Sequence, residues 1–322
     1  MLKKLQLDAL KADLAAVEGM LESRSRAEDP ISFFQYSSRK SSIEREIASI
    51  GSTMDNHAEL GIFFGGGPVQ GSRGINADFA SKALDDIQTL ISKRFSGKEI
   101  GPLKKTGPLP LNDHSQMLVT DVVRGSFGFV LSEAGDTVEM IGTPLKDVVD
   151  EVSDILSRIG AGDEEIFDEA AAQLDERILV TMKQLFQRLD EHGATMRVVQ
   201  GDRDFMLDRD AVALARSRVK ELEISETIVE HTGRLFMLPD SRRFDLYLNE
   251  DGRQVVIKGP VGASVVKQLS GQLELDEDPI DVNLVSSQPW LVELKRREIK
   301  ERNRQPRFVY TLSRLKHTVE IP

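Results

Sequence analysis

The chain has 322 residues, 40% of them hydrophobic and 30% charged, a formal net charge of −11 and no cysteine. That length suits two or three domains, and the apolar content is that of a globular protein rather than a disordered one. The lack of cysteine excludes disulfides, thiolate zinc sites, iron–sulfur clusters and cysteine nucleophiles.

At the N-terminus Leu7, Leu10, Leu14, Val17 and Leu21 are spaced three, four, three, four, a heptad seam kept for just over two heptads. Asp8 and Asp13 interrupt what would be the apolar stretch of a signal peptide. No apolar run in the chain approaches the roughly 20 residues of a membrane helix. The expectation is therefore a cytoplasmic protein. Asp29-Pro30 breaks the seam, because proline disfavours helix in the residue before it. A second helix is predicted over about 38–50, with Ile43, Ile47 and Ile50 on one stripe. The two helices fold back as a hairpin or pair with another chain. Either way the seam must be buried, since so short a helix is marginal alone in water.

Residues 58–64 read as a buried strand, Gly65, Gly66 and Gly67 as a turn, and Pro68 to Ile75 as a return strand. Asn76 suits the N-cap of a helix running to about residue 94. The stretch 96–115 is rich in Gly, Pro and Lys and has no periodicity, and it is longer than ordinary connections. Met117–Val123 and Ser126–Ser132 are predicted strands joined at Arg124-Gly125. The clearest helix follows, with Thr143 as cap, Pro144 at its first position and Gly160 at its end. Helical spacing of Ile166, Ala170, Leu174, Ile178, Met182, Leu185 and Leu189 predicts one long helix over about 163–192. A short strand at 196–200, a turn at 201–204 and a helix at about 208–222 come next.

From Gly233 the period changes to two. Strands are expected at RLFMLP, RFDLYLN, RQVVIKG, IDVNLV, WLVELKR and RFVYTLSR, with a turn at Glu250-Asp251-Gly252 and a helical turn near 262–269. Five or six short strands in about 90 residues suggest a small closed or half-closed barrel.

Charge is segregated. Residues 133–176 hold fourteen acids and two bases, whereas 295–307 hold seven bases and two acids. The basic run contains Lys295, Arg296, Arg297, Lys300, Arg302, Arg304 and Arg307, with Trp290 before it and Phe308 and Tyr310 after it. Basic grooves with stacking aromatics bind nucleic acids or other polyanions. Alternatively the aromatics point into the module and the bases pair with acids nearby or with the acidic central helices.

Other motifs carry less. FGGGPVQGSRG lies between a strand and a helix, as a phosphate loop does, but Ser72 stands where the lysine belongs and G-x-G-x-x-G spacing fails. Were phosphate bound there, Ser72, Arg73 and backbone amides would hold it; a hairpin turn explains the glycines more simply. Asp202, Asp204, Asp208 and Asp210 suit turns and caps better than a magnesium site. Asp163, Glu164, Glu165, Asp168 and Glu169 suit a helix start. None of the five histidines lies within four residues of another, so no helical zinc site is signalled. Ser126 lacks the nucleophile-elbow spacing. His114, in the 96–115 loop, is the first histidine to test.

Together these features predict an α+β protein in three parts. A coiled-coil-like helical arm occupies 1–52, an α+β and helical body 53–230, and a small β-barrel-like module 231–322. The expected function is non-enzymatic: an assembly or adaptor protein, without cofactor or metal, that self-associates through Leu7, Leu10, Leu14, Val17 and Leu21. It would engage a protein partner through the C-terminal module and not a membrane. The alternatives are a nucleic-acid-associated accessory factor, in repair or defence against foreign DNA, using Lys295, Arg296, Arg297, Lys300, Arg302 and Arg304 with Trp290, and an enzyme whose site is assembled from dispersed residues.

Overall fold

The structure is a computed structural model and describes residues 2–23, 26, 29–51, 56–101, 107–123, 127–134, 142–238, 242–250, 253–270, 285, 289–302 and 304–318. The chain is mixed α+β, with antiparallel sheets. It divides into two compact units, each made of separated stretches: 1–80, 116–157 and 192–209 in the first, and 81–115, 158–191 and 210–322 in the second.

The first unit opens with α1 (Lys3–Glu22) and α2 (Pro30–Gly51), which pack on one another. The sequence places the second helix eight residues too late. Asp29-Pro30 is a start signal as well as a stop: Asp29 Oδ1 accepts from Ser32 N at 3.1 Å, and proline at the first helical position gives up an N–H that has no partner there anyway. Asp13–Arg39 and Glu18–Lys40 ion pairs cross the hairpin at 2.6 and 2.7 Å. Hydrogen bonding to Glu18 holds the Lys40 ammonium above its ordinary value.

The first sheet has the order β4-β5-β1-β6-β7, from β1 (Glu59–Gly66), β4 (Met117–Val123), β5 (Phe127–Glu133), β6 (Ala194–Gln200) and β7 (Arg203–Leu207). Every pair is antiparallel. β1 is central and buried nearly throughout, as a continuous apolar run requires. On one face Leu2 packs with Phe63, Val130 and Val199, so the chain start belongs to this core. A Cβ on Gly61 would fall 2.1 Å from Leu2 Cδ1, and glycine there is what lets the chain start approach the sheet. Glu133, at the end of β5, accepts from Ala58 N at 3.0 Å and Thr143 Oγ1 at 2.7 Å, tying the sheet to the cap of α4 (Pro144–Ile159).

β7 replaces the turn expected at 201–204. Arg203 and Asp204 hide its alternation, but Asp204 receives both guanidinium arms of Arg197 across the β6–β7 pair, at 2.8 and 2.6 Å. The return strand expected over 68–75 is instead a separate miniature hairpin, β2 (Val69–Gln70) with β3 (Gly74–Ile75). The turns at Arg124-Gly125 and Asp251-Gly252 lie outside the described residues.

The second unit contains most of α3 (Ala77–Ile100), α5 (Glu164–Ala171), α6 (Glu176–Glu191) and α7 (Arg209–Glu221). α3 outlasts its predicted end because Phe95 is buried and Ser96 Oγ donates to Pro110 O at 2.6 Å. The single helix predicted over 163–192 is two. Its apolar spacing runs through the break, but Asp175 Oδ1 accepts from Ile178 N at 2.8 Å and starts a new helix.

The C-terminal strands form an open five-stranded sheet, ordered β10-β9-β8-β11-β12: β8 (Glu223–Leu238), β9 (Arg243–Glu250), β10 (Arg253–Pro260), β11 (Pro289–Lys300) and β12 (Arg307–Thr318). Its core gathers Leu235, Phe244, Leu246, Trp290, Val292, Leu294 and Leu312, with Val265 of α8 (Ala263–Ser270). A closed barrel is not found among the described residues. The edge strands approach one another at Gly259, where a Cβ would lie 2.0 Å from Tyr310 O, and just beyond β10 Val261 bridges Leu312 and Gly262 N donates to Leu312 O at 2.8 Å. β8 begins ten residues before the alternation was expected to start. Apart from Val285, buried in this core, the strand expected at IDVNLV lies outside the described residues.

Candidate functional site

Three regions hold the residues singled out by sequence. In the first, the N-terminal hairpin, Val17 is buried and Leu7, Leu10, Leu14 and Leu21 are half-buried. α2 packs beside α1 in the hairpin, and the seam residues are buried or half-buried. The apolar side chains left in water lie elsewhere on it. Ile31 is 72% exposed, Phe34 74% and Met20 46%. Ile31 and Phe34 occupy the first turns of α2, and Met20 the last turn of α1. Their signal is in the sequence PISFFQ, hidden by the later helix start read from it.

The second region is the glycine segment. β1 runs on to Gly66, which has φ +78°. A Cβ at Gly66 or Gly67 would lie 2.2 Å from the carbonyl oxygen of Gly193 or His192, so the close approach of these two backbones demands glycine. Gly67 N donates to Gly193 O at 3.1 Å. Beside this contact is a cleft of about 460 Å³, lined by Gly67, Pro68, Gln70, Arg73, Asn76 and His192 among others. Ser72 and Arg73 are exposed on the β2–β3 turn, and Arg73, unlike Ser72, lines the cleft.

The third region is the basic run, on β11, β12 and their connection. Its charges are engaged from within the second unit. Lys295 pairs with Glu226 at 2.6 Å and Lys300 with Glu298 at 3.2 Å. Arg304 reaches Glu164 at 2.9 Å, Asp168 at 3.0 Å and Glu301 at 2.8 Å. Arg307 reaches Asp168 at 3.1 Å and also pairs with Glu301. Hydrogen bonding to Glu301, then the charges of Glu301 and Asp168, hold Arg304 above its ordinary value. Arg296 lies over the Phe308 ring, 5.4 Å from its centroid. Arg297 is half-buried and donates to Leu174 O at 2.8 Å. Arg302 is exposed. Trp290 belongs to the sheet core, so it offers no stacking platform. Glu164 and Asp168, which the sequence placed at a solvated helix start, are ligands for Arg304 and Arg307.

The 107–115 stretch is pinned to α3. Gln88 Nε2 donates to Ser115 O at 2.8 Å and Ser115 Oγ to Ser92 Oγ at 2.8 Å. His114 and Asp113 are exposed on the lining of an open cleft of about 640 Å³. Among the described residues no group of three or more His, Asp or Glu is placed to hold a metal ion, and no helix is long and apolar enough to cross a membrane. No protein-family model matches the chain, and comparison with curated proteins and with solved structures finds no match.

Proposed function

We propose that the chain is a non-enzymatic assembly or adaptor protein that self-associates through its N-terminal helical hairpin and engages a partner through the C-terminal β module. The carrying observation is the exposure of Ile31 and Phe34 on α2. Surface leucines scattered singly need no explanation, but two large apolar side chains one helical turn apart form a patch.

Magnitudes favour weak, reversible association. Burying a side chain of this size contributes about 1.5–3 kcal/mol. Four of them, two from each copy, supply about 6–12 kcal/mol, against an association cost of about 4–15 kcal/mol. The seam residues Leu7, Leu10, Leu14 and Leu21 are half-buried and are not part of this exposed pair. Neutralisation of Arg304, Arg307 and Lys295 by acids of their own unit supports a protein partner over nucleic acid, since phosphate contacts need cations that are not already paired.

Light scattering across a concentration series tests the reading. The expected result is a mass that climbs from one chain towards two as concentration rises through the micromolar range. A mass of one chain at every concentration removes self-association.

A further inference from the structure

We propose that the cleft beside the β2–β3 hairpin binds the phosphate group of a small phosphorylated molecule. This site is separate from the hairpin surface above and does not depend on it. The cleft, about 460 Å³, is of the size that small-molecule sites occupy, roughly 300–1,000 Å³. Its polar side chains, Arg73, His192, Gln70 and Asn76, are each able to donate, and no carboxylate lines it among the described residues.

Arg73 is the principal group. No acid among the described residues pairs with it, in contrast to Arg304, Arg307 and Arg197. A guanidinium offers donors in a planar fork that fits phosphate oxygens two at a time. Asn76 Oδ1 is already used, accepting from Phe79 N at 2.9 Å as the cap of α3, which leaves its amide N–H groups as donors. The first turn of the 24-residue α3 follows directly from Asn76, its positive end partly offset by the carboxylate of Asp78. His192 is held with its ring 5.1 Å from that of Phe79.

The backbone around the cleft is built for close approach. Glycine at 66 and 67 lets this segment sit directly on His192 and Gly193. The Arg73 turn is closed by Arg73 N donating to Gln70 O at 3.0 Å, and Asn76 N donates to Pro68 O at 2.9 Å. Among the described residues the lining holds no Phe, Tyr or Trp and a single arginine, which points to one phosphate group on a small molecule rather than to a nucleic-acid strand, which needs several cations and stacking faces.

Calorimetric titration of the full chain with inorganic phosphate, with glycerol 3-phosphate and with acetate tests the proposal. Saturable binding of both phosphate compounds is expected, with acetate at least roughly tenfold weaker. Arg73→Gln, an exposed substitution, should bind phosphate roughly tenfold or more weakly, the loss expected for a charge-assisted hydrogen bond, and should melt at the wild-type temperature. The proposal is overturned if neither phosphate compound binds saturably, if R73Q binds them as tightly as wild type, or if acetate binds as well as phosphate.

Discussion

The Arg297 guanidinium, in β11, donates to the carbonyl oxygen of Leu174 at 2.8 Å, in the break between α5 and α6. Arg94 donates to the neighbouring Gln173 oxygen at 3.3 Å, and Lys93 Nζ to Arg177 O at 2.9 Å. Arg297 and Arg94 thus satisfy carbonyls that the helix break leaves without intrahelical donors, while Arg177 O lies in the first turn of α6. Burial pushes Arg297 below its ordinary value, partly offset by the charges of Glu226 and Asp175. Arg297→Met should destabilise the second unit by roughly 2–3 kcal/mol, because a buried carbonyl loses a charged donor. Urea unfolding checks this, and a change under 0.5 kcal/mol, the size of an ordinary surface substitution, would contradict it.

Arg188 Nε bonds to the buried Asp86 carboxylate at 2.9 Å. Burial raises Asp86 above its ordinary value in spite of that bond. Removing Arg188 alone strands the carboxylate, and Arg188→Met should cost roughly 3 kcal/mol. The double variant Asp86→Leu/Arg188→Met should recover most of the loss, since neither charge then needs burying. Additive losses in a double-mutant cycle would show that the pair does not act as one.

Asp204 is held below its ordinary value of 3.8, first by its hydrogen bonds to Arg197 and then by that residue's charge, with burial opposing. A carboxyl depressed in the folded state contributes stability that is fully present above the unfolded value. That contribution is lost as pH falls through the folded value. Both side chains are partly exposed, so screening holds the contribution to about 0.5–1 kcal/mol. Wild type should exceed Asp204→Asn in stability at pH 6 by that amount, and the difference should shrink as pH falls below 3.8 through the depressed folded value.

The paired state of Arg304 and Arg307 bears on nucleic acid directly. The wild-type chain should bind a single-stranded oligonucleotide weakly. Glu164→Gln/Asp168→Asn should release the two arginines from those two acids and strengthen binding several-fold at low salt, with the slope of log affinity against log salt steeper by about 1–2. Gel-shift titrations at two salt concentrations read this, and tight wild-type binding unaffected by the substitutions would count against the account.

Parts of this fold are legible where local chemistry and tertiary packing agree. Thr143, Pro144 and Gly160 mark α4, and its apolar positions Val148, Val149, Val152, Ile155 and Leu156 are all buried. Alternation marks β9, β10, β11 and β12. Legibility fails where long-range contacts decide. The α5–α6 break carries a local signal in the Asp175 cap, but its carbonyls are satisfied by Arg94 and Arg297, which lie 79 and 123 residues away. β7 carries Arg203 and Asp204 in its alternation, and the Arg197–Asp204 pair with its neighbour strand is visible only in the structure. The heptad seam is legible, but its spacing does not show that Val17 is buried and the four leucines half-buried within the chain. The exposed pair Ile31 and Phe34 was obscured because Asp29-Pro30 reads equally as a stop and a start.

Deleting residues 1–52 is a poor test of self-association, because Leu2 packs with Phe63, Val130 and Val199 in the first sheet's core, and its loss would uncover that face. Substitution at the exposed positions leaves the core intact. The most direct measurement is therefore sedimentation equilibrium of the full chain beside Ile31→Asp/Phe34→Asp, both at tens of micromolar. The account predicts a concentration-dependent dimer for the wild type and a single-chain mass for the variant, with unchanged thermal stability. Equal masses for the two proteins would contradict it.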